Sequence, residues 1–358
     1  MNSLFRPKEA PAGRLGNCLV LVAAAGLAWA VSAAAADEGT ARLAAEVRRL
    51  GSIVYTARSD RGDWDIFVCR PDGSGIGNLT RSATFQEFYA QVSPDGRRML
   101  YRRVPRGGTV DPNRHGEQGE LVLANGDGSA PVAIGRTGEF PWASWSPDGT
   151  QIATLSVQGI AIVDLASRAT VRRLPRQGIF QQMTWSPDGQ WLCGVANGFA
   201  KGWSVVRLDL RTGNATAVNR DECCTPDWFP DSRQLVFSWR PPGQVDESGR
   251  TWTQLWMADA EGESRKLLYA EEGRNLYGGH ASPDGRYVVF TGNALAGGDP
   301  AHAGSPMGVL RVADAPIVGG KGLTLRIRNP NARTGPVLTL PAGWEPQWTA
   351  ITPVPRDR

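Results

Sequence analysis

Histidine is nearly missing from this sequence, with three residues in 358. A multi-histidine metal centre of the usual structural or catalytic kind therefore has few ligands to draw on. Long apolar runs are also lacking: the longest, residues 18–31, falls short of the roughly 20 residues that a spanning helix needs, and no later segment comes closer. Charge of one sign is scarce as well. The formal net charge is +4, and Arg6, Lys8 and Arg14 against Glu9 account for half of it within the first 36 residues. The remainder gives no general electrostatic reason to expect nucleic acid as a partner. Neither the Gly-x-Ser-x-Gly of a hydrolase elbow nor the Gly-Lys-Ser/Thr of a phosphate loop occurs. What abounds is Gly (43), Pro (25) and Trp (13), in a chain that is 41% hydrophobic and 21% charged. That balance is globular, and turns this frequent exclude a bundle of long helices.

Residues 1–36 read as a secretory signal, with a basic start, a short apolar stretch and alanines at 33–36 before Asp37; cleavage is expected after Ala36. Cys18 precedes the apolar run, so no lipid-attachment cysteine is indicated. The expected location is periplasmic or secreted. Residues 37–50 carry Leu43, Val47 and Leu50 at helical spacing and are expected to form a short helix or linker. Residues 351–358 are expected to be a tail.

One recurring turn decides the architecture. Ser-Pro-Asp-Gly stands at 93–96, 146–149, 186–189 and 282–285, and Phe229-Pro230-Asp231-Ser232 is a degenerate copy. The prolines are 53, 40, 43 and 53 residues apart. In each turn Pro sets φ at the first corner, Asp bonds back to the backbone and Gly accepts a positive φ. Apolar strands follow, such as Met99-Leu100-Tyr101 or Leu235-Val236-Phe237, and then a second strand such as Ile160-Ala161-Ile162-Val163. About four short strands per 40 to 60 residues is the period of a propeller blade. A β-sandwich gives no reason for one turn to recur at the same place in every unit. The first unit, Ile53 to Thr80, lacks an opening turn, whereas Trp344-Glu345-Pro346-Gln347-Trp348 looks like an opening strand with nothing after it. The expectation is an all-β, six-bladed β-propeller of four-stranded blades over residues 51–350, closed by the C-terminal strand completing blade one.

The repeat Trp-Ser-Pro-Asp-Gly, an apolar strand, an Asp-Ile-type strand and a closing Leu-Thr resembles that of the TolB-like (WD40-like) six-bladed propellers; Asp65-Ile66-Phe67-Val68 through Leu79-Thr80 fits closely. The resemblance implies the fold and leaves the activity open. The same repeat serves a translocation-complex subunit, companion domains of peptidases and oligogalacturonate-lyase-like enzymes. Two departures matter: only residues 37–50 stand where the translocation protein carries an α/β domain, and the chain has neither the room nor the motif for a hydrolase domain.

Period-2 geometry assigns faces to the opening strands. Two residues before each turn proline stand Val92, Trp145, Trp185, Trp228 and Ala281, with Trp348 in the last strand. All are apolar and are expected between blades. Three residues before stand Gln91, Ser144, Thr184, Asp227, His280 and Gln347, all polar and expected to face a water-filled channel. Two further out stand Tyr89, Trp142, Gln182, Thr225, Gly278 and Glu345, nearer the channel mouth.

Blades five, six and one then set Asp227, His280, Gln347 and Glu345 side by side. A histidine with carboxylate and amide oxygens can hold a divalent metal, or Asp227 and His280 can act as an acid/base pair on a bound sugar. Solvation of a polar channel explains the same residues without either. No other cofactor is expected. Cys223 and Cys224 open the strand that carries Asp227; successive strand residues point to opposite faces, so two free thiols are expected, with a metal-binding thiol as the functional alternative. Cys69 and Cys193 lie in apolar runs as core residues. His115 and His302, in Gly/Pro-rich loops, are expected to be solvated. Long connections in blades two (102–119), five (239–253) and six (292–307) emerge where the opening strands begin and bring Arg240, Asp246, Glu247, Arg250, Trp252 and Asp299 to the mouth.

Two functions fit. The first is an exported, monomeric binding or scaffold propeller for a protein or glycan partner, engaged through the loop-rich face and the channel. The alternative is a metal-assisted lyase or hydrolase acting on acidic oligosaccharides, with His280 and Asp227 as the reacting or metal-binding pair and loop arginines holding substrate carboxylates.

Overall fold

A computed structural model describes residues 38–242, 252–271, 274–294, 305–319 and 335–351. The leader, residues 351–358 apart from Ile351, and Asp246, Glu247, Arg250, Asp299 and His302 lie outside the described residues. Six sheets, each built on four antiparallel strands, form a propeller ring. Their innermost strands are Trp344–Thr349, Phe85–Val92, Ser144–Trp145, Ile179–Trp185, Cys223–Trp228 and Arg274–Ala281, in blades one to six.

The repeated turn is built the same way wherever the full motif occurs. The Ser hydroxyl donates to the Asp carboxylate at 2.6 Å and accepts the backbone N–H that starts the next strand, as in Ser93 to Asp95 and Arg98 to Ser93. Gly96, Gly149, Gly189 and Gly285 have φ between 68° and 76°, which an L side chain adopts at a cost. The degenerate copy places Ser232 in the same region, φ 58°. Its hydroxyl accepts the Asp188 N–H of the preceding blade's turn.

Closure is by the C-terminal strand. Trp344–Thr349 pairs antiparallel with Ser52–Arg58, with Ile53 opposite Trp348, so blade one takes its innermost strand from one end of the chain and the rest from the other. Val92, Trp145, Trp228, Ala281 and Trp348 are buried between blades. Burying large rings in this position accounts for much of the tryptophan content. The helix 38–47 seals the seam beside the closing strand. Leu43 and Val47 pack with Tyr287 and Trp348, Glu46 accepts from Arg311 at 2.6 Å, and the Trp348 indole donates to Leu50 O at 2.6 Å.

Blade five departs from four strands. Ile317–Gly319, from the stretch after the third strand of blade six, adds in parallel to Arg265–Glu271. Ile317 is buried against Leu268 and Tyr269, so the addition covers an outer edge that would otherwise expose its backbone groups. Cys69, Cys193, Cys223 and Cys224 are all unpaired thiols.

Candidate functional site

The channel at the ring's centre is a cavity of about 500 Å³. All six inner positions line it: Gln91, Ser144, Thr184, Asp227, His280 and Gln347. From the outer ring, Tyr89, Gln182, Thr225, Gly278 and Glu345 line it as well.

The outer ring has a property that composition does not advertise. Tyr89, Trp142, Gln182, Thr225, Gly278 and Glu345 all sit in the left-handed region, with φ of 55°, 53°, 52°, 48°, 57° and 49°. In five blades the pairing register shifts at this point, between Phe88 and Gln91, Gln181 and Thr184, Cys224 and Asp227, Tyr277 and His280, and Trp344 and Gln347. Each is a β-bulge, which bends the opening strand locally. Five of the six residues are not glycine, so the ring holds a conformation costing roughly 1 kcal/mol or more at each such position. Such strain persists only where the surroundings over-determine it.

The inner ring is largely occupied with holding blades together. The Trp185 N–H donates to Ser144 Oγ at 3.1 Å, the Trp348 N–H to His280 Nδ1 at 3.2 Å and the Val92 N–H to Gln347 Oε1 at 2.5 Å. In each case an inner-ring side chain of one blade caps the backbone of the next. The indoles of Trp145 and Trp228 reciprocate, donating to Gln91 O and Thr184 O of the preceding blades. Thr184 Oγ1 lies 2.8 Å from Cys193 Sγ.

Asp227 and His280 do meet: Nε2 stands 3.3 Å from Asp227 Oδ2. Nδ1 lies 3.2 Å from the Trp348 backbone nitrogen and 3.0 Å from Ala281 O, which leaves Nε2 as the ring nitrogen turned to the carboxylate. Burial raises the Asp227 pKa above the ordinary carboxylate range, against the opposing effect of His280. As placed, the four candidates bring only two donor atoms together, His280 Nε2 and Asp227 Oδ2. Gln347 Oε1 and His280 Nδ1 are bonded to backbone, Glu345 is turned to His115, and no group of three His, Cys, Asp or Glu among the described residues is placed to share an ion.

Glu345 belongs to a second cluster. His115, 2% exposed, presents Nε2 to Glu345 Oε1 at 3.5 Å. Its ring stands edge-on to Tyr89, Trp142 and Trp344, with centroids 4.7, 4.8 and 5.2 Å away. The expectation of a solvated His115 is thus corrected: the blade-two loop folds inward, and three aromatic rings from three blades exclude water from the imidazole. Gly116 makes this possible, because a Cβ there would stand 2.1 Å from Trp142 Cε3. Burial and the nearby Glu345 carboxylate push the Tyr89 phenol upward. Trp142 is itself 1% exposed and does not line the cavity. Blade three's opening strand is two residues long, and the indole packs instead against His115 and the core around Leu155 and Met183.

Of the loop candidates, Trp252 is buried and Arg240 pairs with Glu222 at 3.3 Å. Among the described residues, the wall supplies no Lys or Arg to an acidic oligosaccharide.

Outside the channel, Asp65 of blade one and Glu87 of blade two are both buried at the boundary between those blades. Burial first, and then the neighbouring Asp65, push the Glu87 carboxyl up to about 8. Asp65 is raised too, although Asn78 Nδ2 donates to it at 2.6 Å.

Comparison with protein-family models and with curated protein sequences finds no match. Comparison of the fold does. The structure of TolB from Acinetobacter baumannii superimposes over 84% of this chain and 67% of its own, with a TM-score of 0.56 and 15% identity. The fold is that of the TolB propeller. At this identity the likeness to TolB is one of architecture. A chain of the nidogen/laminin complex also matches, over 74% of this chain and 90% of its own, with a TM-score of 0.51 and 12% identity.

Proposed function

We propose that the chain is an exported binding propeller, without catalysis of its own, that takes an extended segment of a protein partner into its channel from the loop-rich face. One observation carries this reading. The inner-ring side chains of Ser144, His280 and Gln347 cap the backbone of the following blade, so these positions serve first to hold the ring in shape. What remains is a cavity of about 500 Å³ whose wall mixes polar side chains with tryptophans and prolines, in the size range of binding clefts. Turn prolines 94, 147, 187, 230 and 283 line it and add stiffness, which lowers the entropy lost on binding. Export rests on the signal-like residues 1–36. No helix among the described residues is long and apolar enough to cross a membrane.

A photoreactive side chain installed at Gln91, inside the channel, tests the reading against one at Val171, 55% exposed on the outer strand of blade three. Cross-linking in cells is expected to give one discrete protein adduct from position 91 and none from 171. Adducts from 171 alone contradict the channel as the binding site.

A further inference from the structure

The channel wall is one-sided in charge. Among the described residues its ionisable carboxylates are Asp227 and Glu345, and no Lys or Arg lines it. Arg102, Arg98 and Arg240 are engaged elsewhere. Arg102 is buried behind the wall and donates to the carbonyls of Glu139 and Phe140, Arg98 donates to Gly149 O and lies over the Trp145 ring, and Arg240 pairs with Glu222. His115 Nε2 is 3.5 Å from Glu345 Oε1, and His280 Nε2 is 3.3 Å from Asp227 Oδ2, an oxygen that receives no full hydrogen bond.

A carboxylate in a narrow, proline-walled cavity is poorly hydrated, and an opposite charge brought beside it gains more than it would in open water. An anion entering the same space meets two like charges with no cation on the wall to offset them. A neutral segment leaves Asp227 with less solvent and no new partner, which costs free energy. Charge complementarity therefore selects among guests, and it does so at the depth of the inner ring.

We propose that the partner's segment is basic, and that it seats a lysine ammonium or arginine guanidinium against Asp227, with Glu345 drawing the charge in at the mouth. This rests on the channel being the binding site. Asp227 is then the specificity-determining residue: it fixes which side chain the channel accepts, while the backbone-capped ring fixes the shape.

A random 12-residue peptide display library, panned against the full chain, tests this before the natural partner is identified. Channel binders are defined as those lost when Gln91→Trp fills the cavity. They are expected to carry Lys or Arg at one aligned position, enriched about tenfold over the unselected library. Replacing that residue by norleucine in the synthetic peptide is expected to weaken binding to the unaltered protein about tenfold or more, the scale of one good ion pair. Asp227→Asn is expected to abolish the discrimination between the two peptides. Channel binders with no basic residue, or with an acidic one, overturn the cationic guest and leave the channel reading standing. Peptides that bind Gln91→Trp as well as the unaltered protein overturn both. The norleucine arm uses the unaltered protein, so poor folding of Asp227→Asn does not decide the outcome.

Discussion

His115 Nε2 and Glu345 Oε1 stand 3.5 Å apart, joining a loop of blade two to the closing strand of blade one. The contact links the channel mouth to the seam of the ring, since Glu345 both lines the cavity and belongs to the strand that closes it. Removing the imidazole leaves a void among Tyr89, Trp142 and Trp344. His115→Ala is expected to cost about 2–4 kcal/mol, the range of a large-to-small core substitution. Gly116→Ala is expected to unseat the same loop by collision with Trp142. Urea denaturation of both variants checks this; a change within error for His115→Ala contradicts a packed, structural histidine.

The ring of left-handed residues makes a second prediction at Gly278. A Cβ there meets Pro346 and Glu345 only at ordinary contact distances of 3.7 to 3.9 Å, so conformation alone sets the cost. Gly278→Ala is expected to destabilise by about 1–2 kcal/mol, with channel binding retained. A thermal melt against the unaltered protein measures it.

Glu87 predicts a pH dependence. Its folded carboxyl holds a proton up to about 8, whereas the ordinary value is 4.5, so between these two values the folded state binds more protons than the unfolded one. Stability falls as pH rises through that window. Glu87→Gln is expected to flatten the fall and to exceed the unaltered protein in melting temperature at pH 8.5. Melts at pH 5, 7 and 8.5 provide the comparison, and a variant that is less stable at every pH contradicts the assignment.

The thiols give a fourth. Burial pushes Cys69, Cys223 and Cys224 up to about 12, and Cys193 higher still. None carries appreciable thiolate at pH 8, so a thiol reagent is expected to label none of the four in the native protein and all four after denaturation. Rapid native labelling of Cys224, the half-buried one, is the contrary result.

The fold was legible because one turn recurs with a chemical reason at each residue, and because its proline gives a register from which faces follow. The inner ring and the buried Trp145, Trp228 and Trp348 were placed by that register alone, whereas Trp185, expected with them, is half-buried and lines the channel. Other features depend on contacts that local pattern does not encode. Of the six left-handed positions only Gly278 carries a residue that favours the conformation; Tyr89, Trp142, Gln182, Thr225 and Glu345 are forced into it by the bulge. His115 looks like any loop histidine until three rings from different blades surround it. Gly116 beside it was the available signal, but close backbone approach to Trp142 is a property of the assembled ring. The fifth strand of blade five, Ile317–Gly319, was hidden for the same reason, because its partner is another blade's edge. The polarity of the channel was legible, whereas the use of that polarity in tying blades together needed the bond directions.

Binding inside the channel is what defines the protein's proposed role. The decisive quantity is the affinity of the partner cross-linked from position 91, purified and titrated against the unaltered chain and against Gln91→Trp. A loss of about a hundredfold or more is expected, comparable to removing a binding hot spot, with the melting temperature of the variant unchanged. Undiminished affinity of a folded Gln91→Trp protein contradicts channel binding.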